Sequence, residues 1–113
     1  MLQEFIYHVV PAERWSQTAE NSNYEPDSLF IEGFIHFSFF DQVDGVIKRY
    51  YRNLDDLLVL KVELSKIQSE IKIEKVPGNG SFPHLYGMLN LDAVVGVYKI
   101  ECDQNGNYYW VEK

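Results

Sequence analysis

The chain has 113 residues, of which 46% are hydrophobic and 24% charged, a composition typical of folded globular proteins and not of disordered or fibrous ones. Its length predicts a single domain over residues 1–113. Ten basic and seventeen acidic side chains give a formal charge of −7, which opposes binding to nucleic acids and to anionic membrane surfaces. We therefore expect neither as a partner.

Three features of the sequence predict the cellular location. The N-terminus has neither the basic residues nor the long apolar stretch of a signal peptide. Apolar stretches such as Phe34–Phe40 are interrupted by polar residues and fall far short of the roughly 20 residues that span a bilayer. The single cysteine, Cys102, cannot form an internal disulfide, which suits a reducing compartment. We therefore expect a cytoplasmic protein.

The first half of the chain is predicted to contain, in order, a strand, a helix, a capped turn, a short strand and a second helix: Glu4–Val10, Ala12–Glu20, Leu29–Glu32, Phe34–Ser38 and Gln42–Arg52. Pro11 ends the first strand and suits the first turn of the helix that follows. Gly33 ends the short turn. In the second helix, Val43, Ile47 and Tyr50 recur at the spacing of one helix face.

The second half is predicted to contain a strand, a turn, a half-buried strand, two loops and a hairpin: Leu57–Leu64, Ser65–Glu70, Ile71–Val76, Pro77–Ser81, Phe82–Gly87, and Ala93–Glu101 paired with Tyr108–Glu112. In the first strand, Lys61 and Glu63 take the face opposite the leucines. Asn105-Gly106 is a strong hairpin turn signal. Five or six short strands with two helices predict an α+β domain of two small, mostly antiparallel sheets.

The histidines are the main candidates for a functional site, because all three lie within apolar or aromatic segments. In the strand Phe34–Ser38, the two-residue period places Ile35 and Phe37 on a core face. The same period places His36 and Ser38 together on the opposite face, which we expect to line a site.

The other candidates each allow a structural alternative. His8 shares a face with apolar residues, so it either lines a cleft or is a buried histidine bonded to a carbonyl group. The rigid segment after Pro83 presents His84 and Tyr86 to a site, or it packs against the core. Arg49 could hold an anionic ligand, or it is a solvated cation near a helix end. Three imidazoles converge in some zinc sites, but these histidines come from separate elements and their spacing argues neither way. The chain has no His-x-x-x-His or Cys-x-x-Cys pair, so we expect no metal.

Segments from nearly the whole chain resemble the domain-of-unknown-function family 952: Ile6–His8, Trp15, Tyr24, Ser28–Leu29, Glu32–Ser38, Arg49–Tyr51 and Phe82–Gly87. The resemblance implies the fold of the ADP-ribosyltransferases, in which two small antiparallel sheets form a cleft that holds NAD in the enzymes. It also implies that His8 corresponds to a first-strand residue that meets the ribose. The segment His36-Phe37-Ser38 is similar to a His-Leu-Ser strand of the RNA 2′-phosphotransferases.

The chain departs from these enzymes in ways that bear on activity. It has no Ser-Thr-Ser segment and no Glu-x-Glu pair, so the activating acid of many transferases has no assigned counterpart. Glu101, an acidic residue on a late predicted strand, is the candidate for that position. The three arginines of the chain are also fewer than the phosphotransferases use.

We expect a cleft that binds NAD or another nucleotide-like anionic ligand. His8 and His36 are the predicted catalytic residues, which would orient the ribose or transfer a proton. The predicted ligand-binding residues are Tyr24, which would stack on a planar ring, and Ser38, Arg49, His84 and Tyr86. The alternative is a binding or regulatory module without catalysis, and a hydrolase with a metal on the three histidines is more distant.

Overall fold

The computed structural model describes residues 4–18, 23–51 and 56–111. The strands in these ranges are β1 (Phe5–Pro11), β2 (Asn23–Tyr24), β3 (Ile35–His36), β4 (Leu57–Glu63), β5 (Glu70–Val76), β6 (Gly80–Tyr86), β7 (Leu89–Asn90), β8 (Val94–Lys99), β9 (Glu101–Cys102) and β10 (Tyr108–Tyr109). The α-helices are α1 (Ala12–Ser16), α2 (Asp27–Glu32) and α3 (Val43–Tyr50). Short 3₁₀ turns lie at Phe40–Gln42, Leu64–Lys66 and Leu91–Ala93.

The first three-stranded sheet has the order β1-β4-β8, and β4 is buried on both faces. On one face Leu60 and Val62 belong to the larger core cluster, and on the other Leu57 and Val59 belong to a second cluster that α3 covers through Ile47. The sequence correctly predicts the strand but misses the burial of its second face. A central strand covered on both sides no longer alternates between apolar and polar residues.

The second three-stranded sheet has the order β3-β6-β5, and it changes the prediction for the segment around His84. This segment was expected to be a rigid loop, but it is the central strand β6. Strand β6 tolerates Pro83 because its ladder with β3 ends at the preceding pair, His36 and His84. Phe37 N–H donates to the Pro83 carbonyl at 3.0 Å, and the return bond that would extend the ladder needs an N–H that Pro83 lacks.

Two smaller ladders complete the strand pairing. The predicted hairpin forms only between β9 and β10, because β8 pairs with β4 instead. The β2–β7 pair was not predicted, since two-residue strands leave no periodicity to detect.

The helices follow the predicted order with shorter boundaries. Helix α1 stops at Ser16, and its predicted continuation over residues 19–20 lies outside the described residues. Gly33 ends α2 in the left-handed conformation, with φ of 87°, as its position after the helix predicts. Helix α3 ends at Tyr50, and the predicted helix end at position 52 lies outside the described residues.

The predicted α+β class with mostly antiparallel pairing is confirmed, since every ladder between the described strands is antiparallel. Among the residues that the structure describes, no helix is long and apolar enough to cross a membrane.

Candidate functional site

A cavity of about 750 Å³ opens between residues of β1, β3, β5 and β6 and of all three helices. Its volume lies in the usual range of about 300–1,000 Å³ for small-molecule sites. The polar and titratable side chains that line it are His8, Arg14, Gln17, Thr18, Tyr24, Glu25, Asp27, Ser28, Glu32, His36, Ser38, Tyr50, Tyr51 and His84. Its apolar lining includes Phe37 and Phe82.

The pairing of β3 with β6 brings two of the three histidines together at the cavity. His36 and His84 are direct partners in the antiparallel ladder, so both side chains lie on one face of the sheet. Their ring centroids are 5.4 Å apart. Phe34 stacks on His84 at 4.1 Å and meets His36 edge-on. The cluster is therefore fixed by strand register and by aromatic packing.

His84 is held by a carboxylate that the sequence analysis did not select. Its Nδ1 lies 2.9 Å from Oε1 of Glu74, on β5, and the Tyr86 hydroxyl donates to the same oxygen. The bond from Tyr86, and then that from His84, holds the pKa of Glu74 below its ordinary value. Glu74 therefore stays a carboxylate, and it orients the imidazole so that Nδ1 carries a proton.

The second ring nitrogen of His84 has no partner. Nε2 is buried, and no hydrogen-bond donor or acceptor among the described residues reaches it. The residue is only 5% exposed, and it lines the cavity. Buried polar atoms without partners are rare in folded proteins, and each needs an explanation such as a ligand or a bound water.

His8 has a different environment, in which both ring nitrogens are occupied. Its Nδ1 donates to the His36 carbonyl oxygen at 2.6 Å, and its Nε2 lies 3.0 Å from the Tyr24 hydroxyl. Burial lowers the pKa of His8 to about 4, so the ring is neutral at pH 7 and Nε2 accepts from Tyr24. Burial also raises the pKa of Tyr24, which keeps its hydroxyl protonated.

This arrangement changes the role expected for His8. A histidine whose two nitrogens are both bonded within the protein has no free position for proton transfer. Of the two alternatives that the sequence allows, the geometry matches the buried histidine bonded to a carbonyl group, although the ring also lines the cavity.

His36 and Ser38 both line the cavity, while Ile35 and Phe37 are 0% and 1% exposed, which matches the expected alternation. His36 is half-exposed, and its Nε2 is bonded to the carboxylate of Glu32 one helical turn earlier in the chain. Ser38 lies beyond the end of β3, where its backbone pairs with Tyr7 of β1.

Two predicted ligand-binding residues lie elsewhere. Arg49 is exposed, with its guanidinium 5.6 Å from the ring centroid of Tyr50, and it does not line the cavity. Tyr86 is also absent from the lining and supports Glu74 from behind. Helix α3 turns Arg49 to the solvent because Val43 and Ile47 form its buried face.

Sequence reasoning missed Glu74 because nothing near it in the chain distinguishes it from the other acids of an alternating strand. The strand register is the signal that would have found it. Lys72 pairs with His84, and Glu74 follows on the same face two residues later, within diagonal reach of the imidazole. In the parts of the chain that the structure describes, no three His, Cys, Asp or Glu side chains are grouped to hold a metal ion.

A family model described as a protein of unknown function, DUF952, matches residues 9–97. The chain belongs to this family. The resemblance found in the sequence is thereby confirmed at the level of the family, and the matched range contains the Glu74–His84 pair. No curated protein matches the chain in sequence.

Solved structures of protein CC0527 from Caulobacter crescentus are similar to this member of the DUF952 family. One crystal structure has a TM-score of 0.83 and 25% identity, and 93% of each chain is covered. A solution NMR structure has a TM-score of 0.78 and 26% identity, and covers 91% of this chain and 90% of the other. The two proteins share one fold.

Proposed function

We propose that this protein binds a small organic molecule in the cavity and that Nε2 of His84 accepts a hydrogen bond or a proton from it. The observation that carries the proposal is the buried, unpartnered Nε2 of an imidazole that lines the cavity. Glu74 accepts from Nδ1, which leaves the lone pair of the neutral ring on Nε2.

A carboxylate behind a histidine supports proton transfer in two ways. It fixes the tautomer in which Nε2 is the basic atom, and it stabilises the imidazolium that forms when Nε2 takes a proton. The Tyr86 bond holds Glu74 in place for this role. We therefore assign the general base to His84, with Glu74 as the residue that positions it, and no longer to His8.

The ligand class follows from the size and walls of the cavity. A volume of about 750 Å³ accommodates a molecule of nucleoside or nucleotide size, and the aromatic side chains of Tyr24 and Phe82 offer contacts for a planar ring. The fold that the family resemblance implies makes NAD, a larger dinucleotide, a further candidate to test. His36, bonded to Glu32 beside His84, is a candidate second polar contact.

Thermal shift and calorimetric titration against NAD, nucleosides, nucleotides and a wider set of small metabolites test the proposal. A ligand at about 100 times its Kd stabilises the fold by about 2.7 kcal/mol, a clear rise in Tm. His84→Asn keeps an amide N–H near the position of Nδ1 and removes Nε2, so it should bind such a ligand at least about tenfold more weakly.

Glu74→Gln should also lower the affinity for the ligand. Glu70→Gln, on the same face of β5, is the matched control and should leave the affinity unchanged. Equal affinity in wild type and His84→Asn, or no ligand in the whole set, would contradict the proposal. Release of nicotinamide from NAD distinguishes an enzyme from a binding module, because a module would bind without turnover.

A further inference from the structure

The charges around the cavity are mainly negative. Three carboxylates line it, those of Glu25, Asp27 and Glu32. Among the described lining residues, Arg14 is the only lysine or arginine. This balance follows the acidic character of the whole chain, whose formal charge is −7. A ligand that carries phosphate therefore meets repulsion at long range and again in the cavity.

The one guanidinium is already engaged. Nη1 of Arg14 lies 2.8 Å from Oδ2 of Asp27, which also lines the cavity, so the pair adds little net charge. None of the three imidazoles is a free cation. His8 is neutral and bonded at both nitrogens, Nε2 of His36 is bonded to the carboxylate of Glu32, and Nδ1 of His84 is bonded to the carboxylate of Glu74.

The aromatic residues of the lining favour a cationic or uncharged ligand. Tyr24, Tyr50 and Tyr51 line the cavity along with Phe37 and Phe82. The face of an aromatic ring carries partial negative charge, so such walls attract cationic ligands and also pack well against uncharged planar rings. Carboxylates and aromatic rings together are the usual components of sites for organic cations.

We propose that the cavity selects uncharged or cationic ring-bearing molecules of nucleoside size over their phosphorylated counterparts. The inference rests on the proposed function, because it concerns the ligand that reaches His84. It replaces the expectation of an anionic ligand that came from the sequence. That expectation used Arg49 as a contact, and Arg49 does not line the cavity. The unpartnered Nε2 of His84 gives such a molecule a place to donate a hydroxyl or amino hydrogen.

Titration calorimetry and NMR of the imidazole signals with three matched probes test the inference. The probes are adenosine, which is uncharged, 1-methyladenosine, which is a cation near neutral pH, and AMP. At low salt we expect AMP to bind at least about tenfold more weakly than adenosine, and 1-methyladenosine to bind at least as tightly as adenosine. The difference in affinity between AMP and adenosine should shrink at about 0.5 M salt, where charges are screened.

The double variant Glu25→Gln/Glu32→Gln should bring the affinity for AMP towards that for adenosine. The double variant Glu70→Gln/Glu101→Gln, which makes the same charge change outside the cavity lining, should leave the ratio of the two affinities unchanged. AMP binding as tightly as adenosine would overturn this inference and leave the proposed function standing if the affinity still depends on Nε2 of His84. Failure of all three probes would also overturn it, and the proposed function would then be decided by the wider set of metabolites.

Discussion

His8 is expected to make the fold less stable as the pH falls. Burial lowers its pKa from 6.5 to about 4 in the folded protein, whereas the unfolded chain keeps the ordinary value. Between these two values the unfolded state binds a proton that the folded state does not. The contribution of neutral His8 is therefore complete above about pH 6.5 and is lost as the pH falls towards 4.

The magnitude follows from the size of the pKa shift. At about 1.4 kcal/mol per pKa unit, a shift from 6.5 to about 4 means that neutral His8 contributes about 3 kcal/mol to the free energy of unfolding. By about pH 5, roughly 2 kcal/mol of this contribution should be lost, since the unfolded histidine is then nearly fully protonated and the folded one is still mostly neutral.

Urea unfolding of the wild type and of His8→Gln at about pH 7.5, 6 and 5 measures this effect. Glutamine does not titrate, so the difference in free energy of unfolding between the two proteins removes the contributions of the other acids and histidines. We expect His8→Gln to be the less stable protein at about pH 7.5 and the gap to narrow by roughly 2 kcal/mol at about pH 5. A gap that stays constant over this range would refute the reasoning.

Two further predictions concern stability outside the histidines. Gly87→Ala should lower the free energy of unfolding by about 1–3 kcal/mol, because the residue has φ of 150° and a Cβ there would lie 2.4 Å from Oγ of Ser69. Gly78→Ala, with open space around it, should lower it by less in the same urea experiment. Arg14→Ala should leave the urea midpoint nearly unchanged, because the side chains of its ion pair with Asp27 are 54% and 68% exposed. A fall in the midpoint as large as that of Gly87→Ala would contradict that expectation.

Much of the fold could be predicted because local patterns in the chain agree with the tertiary structure. The helix spacing around Val43 and Ile47 matches the buried face of α3, and Gly33 ends α2 as expected. Patterns failed where burial came from distant elements. Strand β6 contains a proline and a histidine between apolar residues, and only pairing with β5 on one side and β3 on the other makes it a central strand.

The candidate site could likewise be predicted only in part. The alternation of Ile35, His36 and Phe37 predicted which side chains turn inwards, because a two-residue period depends only on the strand itself. The partner of each histidine depends on register instead. Glu74 reaches His84 only because residues 72 and 84 are paired, and a slip of one residue would place Glu74 on the opposite face of the sheet.

His8 and His84 show why residue type alone could not assign the chemistry. Both are buried, both line the cavity and both donate through Nδ1. The acceptor for His8 is an uncharged carbonyl group, and Tyr24 occupies its Nε2, so the ring stays neutral and closed to a ligand. The acceptor for His84 is a carboxylate, and no described residue occupies its Nε2, which leaves that nitrogen open to a ligand. If that difference determines function, a ligand found for this cavity should lose affinity in His84→Asn and keep most of it in His8→Gln above about pH 7, where the variant remains folded.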